Sequence, residues 1–377
     1  MTIDVKLKAV IDRFDFPGHM IECAEIKTGH INRTYRLRFA QDGGPARDYV
    51  LQRINNYVFK KPAEVMENVR LVTEHISRAM AARGIDPENR VLRLVPVKGG
   101  GAMVEDGEGG FWRAYDFIKH AHTIDRIKHP GQFRQIGAAF GQFQSMLSDF
   151  PIHRLHDTIP HFHDTRKRLG DFERSVQLDV AGRACTVREE IEFIRRRGPA
   201  MCRIVEMIEA GEIPLRVTHN DTKINNVMLD ADTGEALCVI DLDTVMPGSV
   251  LYDFGDAIRY GASTAAEDET DLSRVALDID LFAAFSDGFI AATAARLTGT
   301  ELYSLPLGAL VMTYENGLRF LADYLDGDIY YRIERPAHNL DRARCQGRLL
   351  ADMEQKRAEM DGIVREQVRR WGKNIGL

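Results

Sequence analysis

Hydrophobic and polar residues alternate along several short segments in the first third of the chain. Strict alternation over a few residues is typical of a half-buried β-strand. It is clearest at 34–39, and a Gly-Gly-Pro turn at 43–45 separates this segment from a further predicted strand at 48–53. The pattern therefore predicts a small antiparallel sheet. The predicted strands are 21–26, 34–39, 48–53, 91–97 and 111–118.

Further along the chain, apolar residues recur every three or four positions, the period of an amphipathic helix. One such helix interrupts the strand-rich part and begins at Pro62, a residue suited to a first helical turn. The same period returns at 133–147 and 314–325, and a charged stretch from 341 to about 373 predicts one long surface helix. The predicted apolar face of the first helix consists of Val65, Val69, Val72 and Ile76.

These patterns indicate an α+β fold with a small sheet lobe followed by a larger, mainly helical lobe. A chain of 377 residues with 44% hydrophobic content is long for one compact core. We therefore divide it into an N-terminal lobe, 1–118, and a C-terminal lobe, 119–377. The sequence does not indicate an oligomeric state.

Composition narrows the class of protein. The net charge of −6 gives no general basic surface for nucleic acid. Five scattered cysteines without C-x-x-C spacing argue against a disulfide framework or a zinc site. The N-terminus does not resemble a signal peptide, and no apolar run approaches the ~20 residues that span a bilayer. We expect a cytoplasmic protein that binds no membrane.

The strongest chemical pattern is H-x-D-x-x-x-x-N, formed by His219, Asp221 and Asn226. Short predicted strands at 213–217 and 227–229 flank it, and the next strand ends in Asp241. An Asp, an Asn five residues later and an Asp after the following hairpin are typical of enzymes that transfer phosphoryl groups. The predicted strands on either side make this pattern far more specific than the three residues would be alone.

Each residue of this pattern has a chemical role to match. Asp221 is predicted to accept the proton of a substrate hydroxyl. Asn226 and Asp241 supply two of the hard oxygen ligands that Mg²⁺ prefers, since phosphates and water provide the others. Lys223 lies two residues after the base, where an ammonium would stabilise charge on the transferring group. His219 is expected to orient the loop.

The nucleotide is expected in the cleft between the lobes. Gly29 and Asn32, in the turn between the first two strands, would cover its phosphates. On the third strand, where a kinase normally has a lysine, the chain has Gln52 followed by Arg53. Alternation sends these two side chains to opposite faces, so only one can face ATP, and the sequence leaves the choice open. The partner acid on the following helix is Glu64, Glu67 or Glu74, and the linker backbone at Tyr115 and Phe117 is expected to bind adenine.

With these residues in view, the chain resembles the aminoglycoside phosphotransferase branch of the protein-kinase-like fold. Within that branch it is most similar to the N-acetylhexosamine 1-kinases, over nearly its whole length. The common aminoglycoside-kinase loop reads H-G-D, whereas this chain has Asn220 before the Asp and Lys223 after it, which favours the sugar-kinase branch. The segments that carry the resemblance are 29–32, 50–55, 219–226, 240–248, 252–257 and 314–320.

The resemblance implies an ATP- and Mg²⁺-dependent transfer to the anomeric hydroxyl of N-acetylglucosamine or N-acetylgalactosamine. It implies that Asp221 is the base, and that His30, Tyr260 and Arg319 lie near the sugar. Asp243, close to the metal strand, is a further candidate, either for support of a second metal ion or for contact with a substrate hydroxyl. Planar polar side chains and an aromatic face suit a sugar, although Arg319 and Tyr260 are equally compatible with ordinary helix and core positions.

Three other hypotheses remain. A cationic acceptor, such as an aminoglycoside, choline or a homoserine-like amine, would need surplus carboxylates, for which the acidic run 267–271 is a candidate. A kinase-like binding module without catalysis is disfavoured by the intact Asp221, Asn226 and Asp241. Lastly, His161 and His163 have the spacing of a metal pair but lack a full set of donors nearby.

Overall fold

We describe a computed structural model of the chain over residues 4–26 and 32–372. Its first part is a five-stranded antiparallel sheet in the order β1-β2-β3-β5-β4, with one helix before it and one inserted after β3. The elements of this part are α1 (Val5–Ile11), β1 (His19–Ile26), β2 (Arg33–Gln41), β3 (Gly44–Ile54), α2 (Pro62–Ala81), β4 (Val104–Glu105) and β5 (Phe111–Asp116).

Four of the five predicted strands are confirmed, and the prediction of a strand at 91–97 is wrong. Among the described residues this segment makes only isolated bridges, one between Leu94 and Tyr115 of β5 and one between Val97 and Phe14. The amide of Val95 donates to the carbonyl of Ala114 at 2.9 Å. Pro96 then has no amide hydrogen to continue the ladder. The short strand β4 pairs with β5 instead.

The remainder is mainly helical, with two small sheets, β6-β8-β9 and β7-β10. Its strands are β6 (Ala121–His122), β7 (Arg216–Thr218), β8 (Val227–Asp230), β9 (Ala236–Val239) and β10 (Met246–Gly248). Its helices are α3 (Pro130–Met146), α4 (Thr165–Leu178), α5 (Arg188–Met201), α6 (Arg203–Glu209), α7 (Val250–Gly261), α8 (Ile279–Thr293), α9 (Gly299–Tyr303), α10 (Leu305–Asp326), α11 (His338–Gln355) and α12 (Arg357–Gly372).

The long C-terminal helix predicted from the charge pattern is in fact two helices, α11 and α12, separated at Lys356. The Nζ of Lys356 donates to the carbonyl of Leu277 at 2.7 Å, which holds the break against the body of the protein. The break lets α11 pack against α10 while α12 packs against α8. Met353 and Met360, one on each helix, are fully buried, so the segment is not a simple surface helix.

Three hydrophobic cores hold the molecule together. One lies within the sheet and one among the C-terminal helices. The third joins the two parts, because the predicted apolar face of α2 packs with α3 residues and with Leu242 and Val245, which follow β9. The segment after β9 is therefore fixed by contacts from both parts. Within the described ranges, no helix is long and apolar enough to cross a membrane.

Candidate active site

The turn that follows β7 depends on the left-handed backbone of Asn220, whose φ is 63°. Asparagine tolerates this conformation better than most residues. Its Nδ2 donates to the carbonyl of Thr244 at 2.9 Å. On the paired strand β10, a side chain at Gly248 would clash with Thr218 Oγ1. Asn220 thus keeps a backbone that glycine would also adopt, and adds a hydrogen bond.

Asp253, in the first turn of α7, anchors the loop. Its carboxylate accepts from the backbone amide of His219 at 2.9 Å and from that of Asn220 at 2.8 Å. Gln144 Nε2 donates to it at 2.6 Å. Burial raises the pKa of Asp253, and the hydrogen bonds partly oppose that rise. Asp253 therefore supports the loop structurally.

The His219 ring is fully buried, with Phe140 and Phe143 packed edge-on at centroid distances of 5.7 and 5.9 Å. Its Nε2 donates to the carbonyl of Ile240 at 2.9 Å, and its Nδ1 accepts from the amide of Asp221 at 3.3 Å. The two bonds fix one neutral tautomer. His219 therefore connects the loop to the strand that leads to Asp241, as expected of an orienting residue.

The structure brings Asp221, Lys223 and Asn226 together. Asn226 Nδ2 donates to the carbonyl of Asp221 at 2.8 Å and lies 3.4 Å from its Oδ2. Lys223 Nζ is 3.1 Å from Oδ1 of the same carboxylate. Because the amide nitrogen of Asn226 faces the base, its amide oxygen is available on the other side for a cation.

Asp241 also has a left-handed backbone, with φ 60°. Among the described residues, nothing donates a hydrogen bond to its carboxylate. Burial, together with the charges of Asp243 and Asp221, raises the pKa of Asp241 to about 7, although Arg113 and His219 act in the opposite direction. Strained backbone and crowded carboxylates are features that functional sites retain when a ligand relieves them.

This environment suits a divalent cation held by one carboxylate and one amide oxygen. Within 4–26 and 32–372, no three or more His, Cys, Asp or Glu side chains converge in a way that could hold a metal ion. Mg²⁺ usually takes only one or two ligands from the protein, so Asp241 and Asn226 would be a sufficient set of protein donors. Three histidines of the 153–163 region instead have acidic partners, in the pairs His156–Glu67, His161–Asp164 and His163–Glu315.

Gln52 and Arg53 lie on opposite faces of the sheet, as alternation requires. Gln52 Nε2 donates to Thr34 Oγ1 at 3.3 Å, and its Oε1 accepts from Arg113 Nε at 3.0 Å. Arg113 is buried, with 1% of its surface exposed. Arg53 is exposed on the other face. Of the two predicted phosphate contacts, only Gln52 is on the face that carries Arg113.

Asn32 lies at the start of the second strand and contacts the segment after β9. Its Nδ2 donates to Asp243 Oδ2 at 2.7 Å, and its Oδ1 accepts from the amide of Asn55 at 3.0 Å. Asp243, a candidate for contact with a substrate hydroxyl, is thereby hydrogen-bonded to the N-terminal part. Gly29 and His30 lie outside the described residues.

The linker between the two parts contains Tyr115 and Phe117, the residues whose backbone was predicted to bind adenine. Tyr115 is paired with Val50 in the sheet. The amide of Phe117 donates to the carbonyl of Asp48 at 3.2 Å and is therefore engaged. The next amide, that of Ile118, has no hydrogen-bond partner among the described residues.

On the predicted acceptor side, Tyr260 is half-buried near the end of α7. Burial raises the pKa of Tyr260, while the charges of Glu267 and Lys223 act on it in opposite directions.

Arg319 lies further along the same side, between two aromatic rings. Its guanidinium is 5.8 Å from the centroid of Phe162 and 5.6 Å from that of Tyr331. No carboxylate in the described part of the chain is within ion-pair distance of it. Neighbouring Arg168 donates to the carbonyl of Phe162 at 3.0 Å. Burial, and then the charge of Arg319, lowers the pKa of Arg168.

Three residues that help to hold this site, Asp256, Arg259 and Arg113, were not identified from the sequence. Asp256 accepts from the amide of Thr222 at 3.0 Å and pairs with Arg259 at 2.8 Å. Since it lies one helical turn after Asp253, the helical period could have identified it. Arg113 had no such local signal, because its position depends on strand register.

Comparison with known proteins defines the class. Residues 22–285 match the model of the phosphotransferase enzyme family. The chain therefore belongs to the phosphotransferase enzyme family, whose members transfer phosphoryl groups to hydroxyl groups of small molecules.

Solved structures of this kind share its fold at low sequence identity. An aminoglycoside phosphotransferase from Alicyclobacillus acidocaldarius is 15% identical, with a TM-score of 0.61 and 98% of each chain covered. A microcompartment-associated aminopropanol kinase is 16% identical, with a TM-score of 0.56, covering 96% of this chain and 99% of its own. An amicoumacin kinase in complex with AMP-PNP and Ca²⁺ is 12% identical, with a TM-score of 0.57 and 94% of each chain covered. The predicted two-lobed, protein-kinase-like fold is confirmed.

Proposed function

We propose that this phosphotransferase moves the γ-phosphoryl group of ATP to the anomeric hydroxyl of an N-acetylhexosamine, N-acetylglucosamine or N-acetylgalactosamine. The catalytic part of the proposal is supported by Asp221, which lies between Lys223 and Asn226 at the end of a loop fixed by Asp253. A rigidly held carboxylate of this kind suits a base that must meet one hydroxyl.

In this proposal the Asp221 carboxylate accepts a hydrogen bond from the sugar hydroxyl and takes its proton during transfer. Lys223 Nζ, 3.1 Å from that carboxylate, lies close enough to stabilise charge on the moving phosphoryl group. Asn226 and Asp241 would hold Mg²⁺, which neutralises phosphate charge when bound. On the adenine side, the amide of Ile118 replaces that of Phe117 as the contact we propose.

The proposed class of acceptor is argued from the charged side chains on the acceptor side of Asp221. An amine acceptor needs carboxylates that are free to bind an ammonium group, and three acids on this side already have hydrogen-bonding partners. Asp256 and Glu267 both bind Arg259, and Glu315 binds His163. Two guanidinium groups on this side, those of Arg168 and Arg319, have no carboxylate partner within the described ranges. Guanidinium groups that no carboxylate holds within ion-pair distance can donate hydrogen bonds to a neutral acceptor with many oxygens, such as a sugar, and offer nothing to an ammonium group.

One observation favours an amine acceptor as a second candidate. Asp125 is an exposed acid close to Tyr260, and its Oδ1 accepts only a 3.4 Å bond from Asn225 Nδ2. No cation in the described part of the chain pairs with it. An ammonium group bound to Asp125 would lie at the exposed edge of the proposed acceptor site rather than inside it.

The test is ATP consumption with Mg²⁺ against N-acetylglucosamine, N-acetylgalactosamine, glucose, kanamycin, choline and homoserine, with phosphorus NMR of each product. We expect a sugar 1-phosphate from an N-acetylhexosamine. Turnover restricted to an amine would overturn the acceptor class while keeping the phosphotransfer residues in place. The Asp125→Asn variant is the matched control, because it should lower turnover of an amine and leave that of a sugar unchanged.

A further inference from the structure

The sheet side of the site lacks the ion pair that usually supports nucleotide binding in this fold. Gln52 stands where a lysine is expected, and it carries no charge. The acids of α2 do not compensate, because each pairs with a residue away from β3. Those pairs are Glu64 with Lys61, Glu67 with His156 and Glu74 with Arg70.

A different cation occupies this face. Arg113 of β5 lies directly opposite Gln52 in the strand register. Its Nε donates to Gln52 Oε1 at 3.0 Å, so the glutamine orients the guanidinium. The charge that β3 lacks is therefore present on the neighbouring strand.

The guanidinium of Arg113 reaches across to the C-terminal part. Its Nη1 forms a buried ion pair with Asp243 Oδ1, and Asn32 Nδ2 donates to the other oxygen of that carboxylate at 2.7 Å. Both oxygens of Asp243 are thus held by residues of the sheet. Asp243 lies in the short turn Leu242–Thr244, which begins immediately after Asp241.

Stability alone does not account for such a pair. Removing two charges from water costs several kcal/mol, and apolar replacements of a buried pair are often as stable or more stable. A buried pair that joins two parts of a protein can instead fix their relative position. Here it fixes the segment whose first residue, Asp241, has a strained backbone and no hydrogen-bond donor of its own among the described residues.

We propose that the Arg113–Asp243 ion pair, with Gln52 and Asn32 as its orienting partners, replaces the usual lysine–glutamate pair and positions Asp241 for the metal–nucleotide complex. Arg113 is a positioning residue in this proposal. It does not touch substrate, since it is almost wholly buried. The inference rests on the proposed function only in that Asp241 serves MgATP, and it is independent of the acceptor.

Arg113→Met, Asp243→Asn and the double variant test whether the ion pair positions Asp241 or only stabilises the fold. Binding of AMP-PNP with Mg²⁺ is measured by calorimetry without any acceptor, beside the Tm of each variant. Each single change leaves a buried group without its partner and should lower the Tm. The double variant removes both charges and should recover most of that loss. Its affinity for Mg²⁺–AMP-PNP should remain roughly 10- to 100-fold weaker than that of the unmodified protein, the range found when a residue supporting a metal ligand is lost.

Two further variants complete the design. Arg113→Lys keeps a cation and should recover part of the affinity. Arg197→Met breaks an ion pair with Glu354 (2.8 Å), between α5 and α11, and should change the Tm without changing nucleotide affinity. A double variant that binds Mg²⁺–AMP-PNP as tightly as the unmodified protein would show that the pair has no role beyond packing.

Failure of the acceptor proposal is distinguishable from failure of this one. If no N-acetylhexosamine is phosphorylated but nucleotide affinity depends on Arg113 as described, the ion-pair proposal stands and the sugar is wrong. If the unmodified protein shows no Mg²⁺-dependent nucleotide binding, both proposals are overturned.

Discussion

The loop that carries Asp221 and the sheet that carries Arg113 each fix a charged group, and they do so in different ways. In the loop, backbone amides of neighbouring residues bond to carboxylates of one helix, Asp253 and Asp256. In the sheet, one buried side-chain pair spans two parts of the chain. The loop is over-determined by many short-range bonds, whereas the sheet side depends on few. We expect that damage to the loop chiefly affects the chemical step and that damage to the sheet side chiefly affects nucleotide binding.

The largest effect should come from Asp221→Asn. The amide cannot take the hydroxyl proton, so kcat should fall by roughly 10²–10⁴. Fold and nucleotide binding should persist, because the loop is held by its backbone bonds rather than by this carboxylate. Single-turnover kinetics and calorimetry would measure the two properties, with the exposed Asp232→Asn as control. Near-normal turnover would remove Asp221 from the mechanism.

Asp241→Asn tests the metal position that the ion pair on the sheet side is proposed to fix. Three carboxylates, those of Asp221, Asp241 and Asp243, repel one another, and removal of one charge should stabilise the protein without metal, raising its Tm by roughly 2 °C for each kcal/mol gained. The same change should abolish Mg²⁺-dependent binding of AMP-PNP. Thermal scans with and without Mg²⁺–AMP-PNP would show both effects. Tight binding of the nucleotide complex by this variant would contradict the assignment of Asp241 as a ligand.

Asp253→Asn probes how strongly the loop is over-determined. An amide has one accepting oxygen, so the amide of either His219 or Asn220 would lose its partner, at a cost of about 1–3 kcal/mol. We expect kcat to fall by roughly 10- to 100-fold, with nucleotide affinity little changed. Gln144→Glu, which replaces the third donor by an acid, should destabilise the protein similarly. If nucleotide affinity fell by the same factor as kcat, the loop and the sheet side would not act separately.

The same contrast explains what could be predicted from the sequence. The loop residues were found because their chemistry lies within a few adjacent positions. The strand alternation correctly separated Gln52 from Arg53. Arg113 was not found, because its proximity to Asp243, 130 residues away, arises only from strand register and the packing of two lobes. The break at Lys356 was missed for a similar reason, since the contact with Leu277 that holds it comes from distant sequence.

Arg319→Gln should have the smallest of these effects and bears on the acceptor alone. Its guanidinium lies between Phe162 and Tyr331 and has no carboxylate partner in the described part of the chain. If it donates to a sugar oxygen, loss of its charge should raise KM for an N-acetylhexosamine by roughly tenfold, since a hydrogen bond to a charged group is worth about 1.5–3 kcal/mol. KM for ATP should not change. Arg342→Gln, which removes a guanidinium over Phe320, is the matched control and should change neither constant. An Arg319→Gln variant that gains turnover of choline or kanamycin and keeps its sugar KM would show that the arginine excludes cations without binding the sugar.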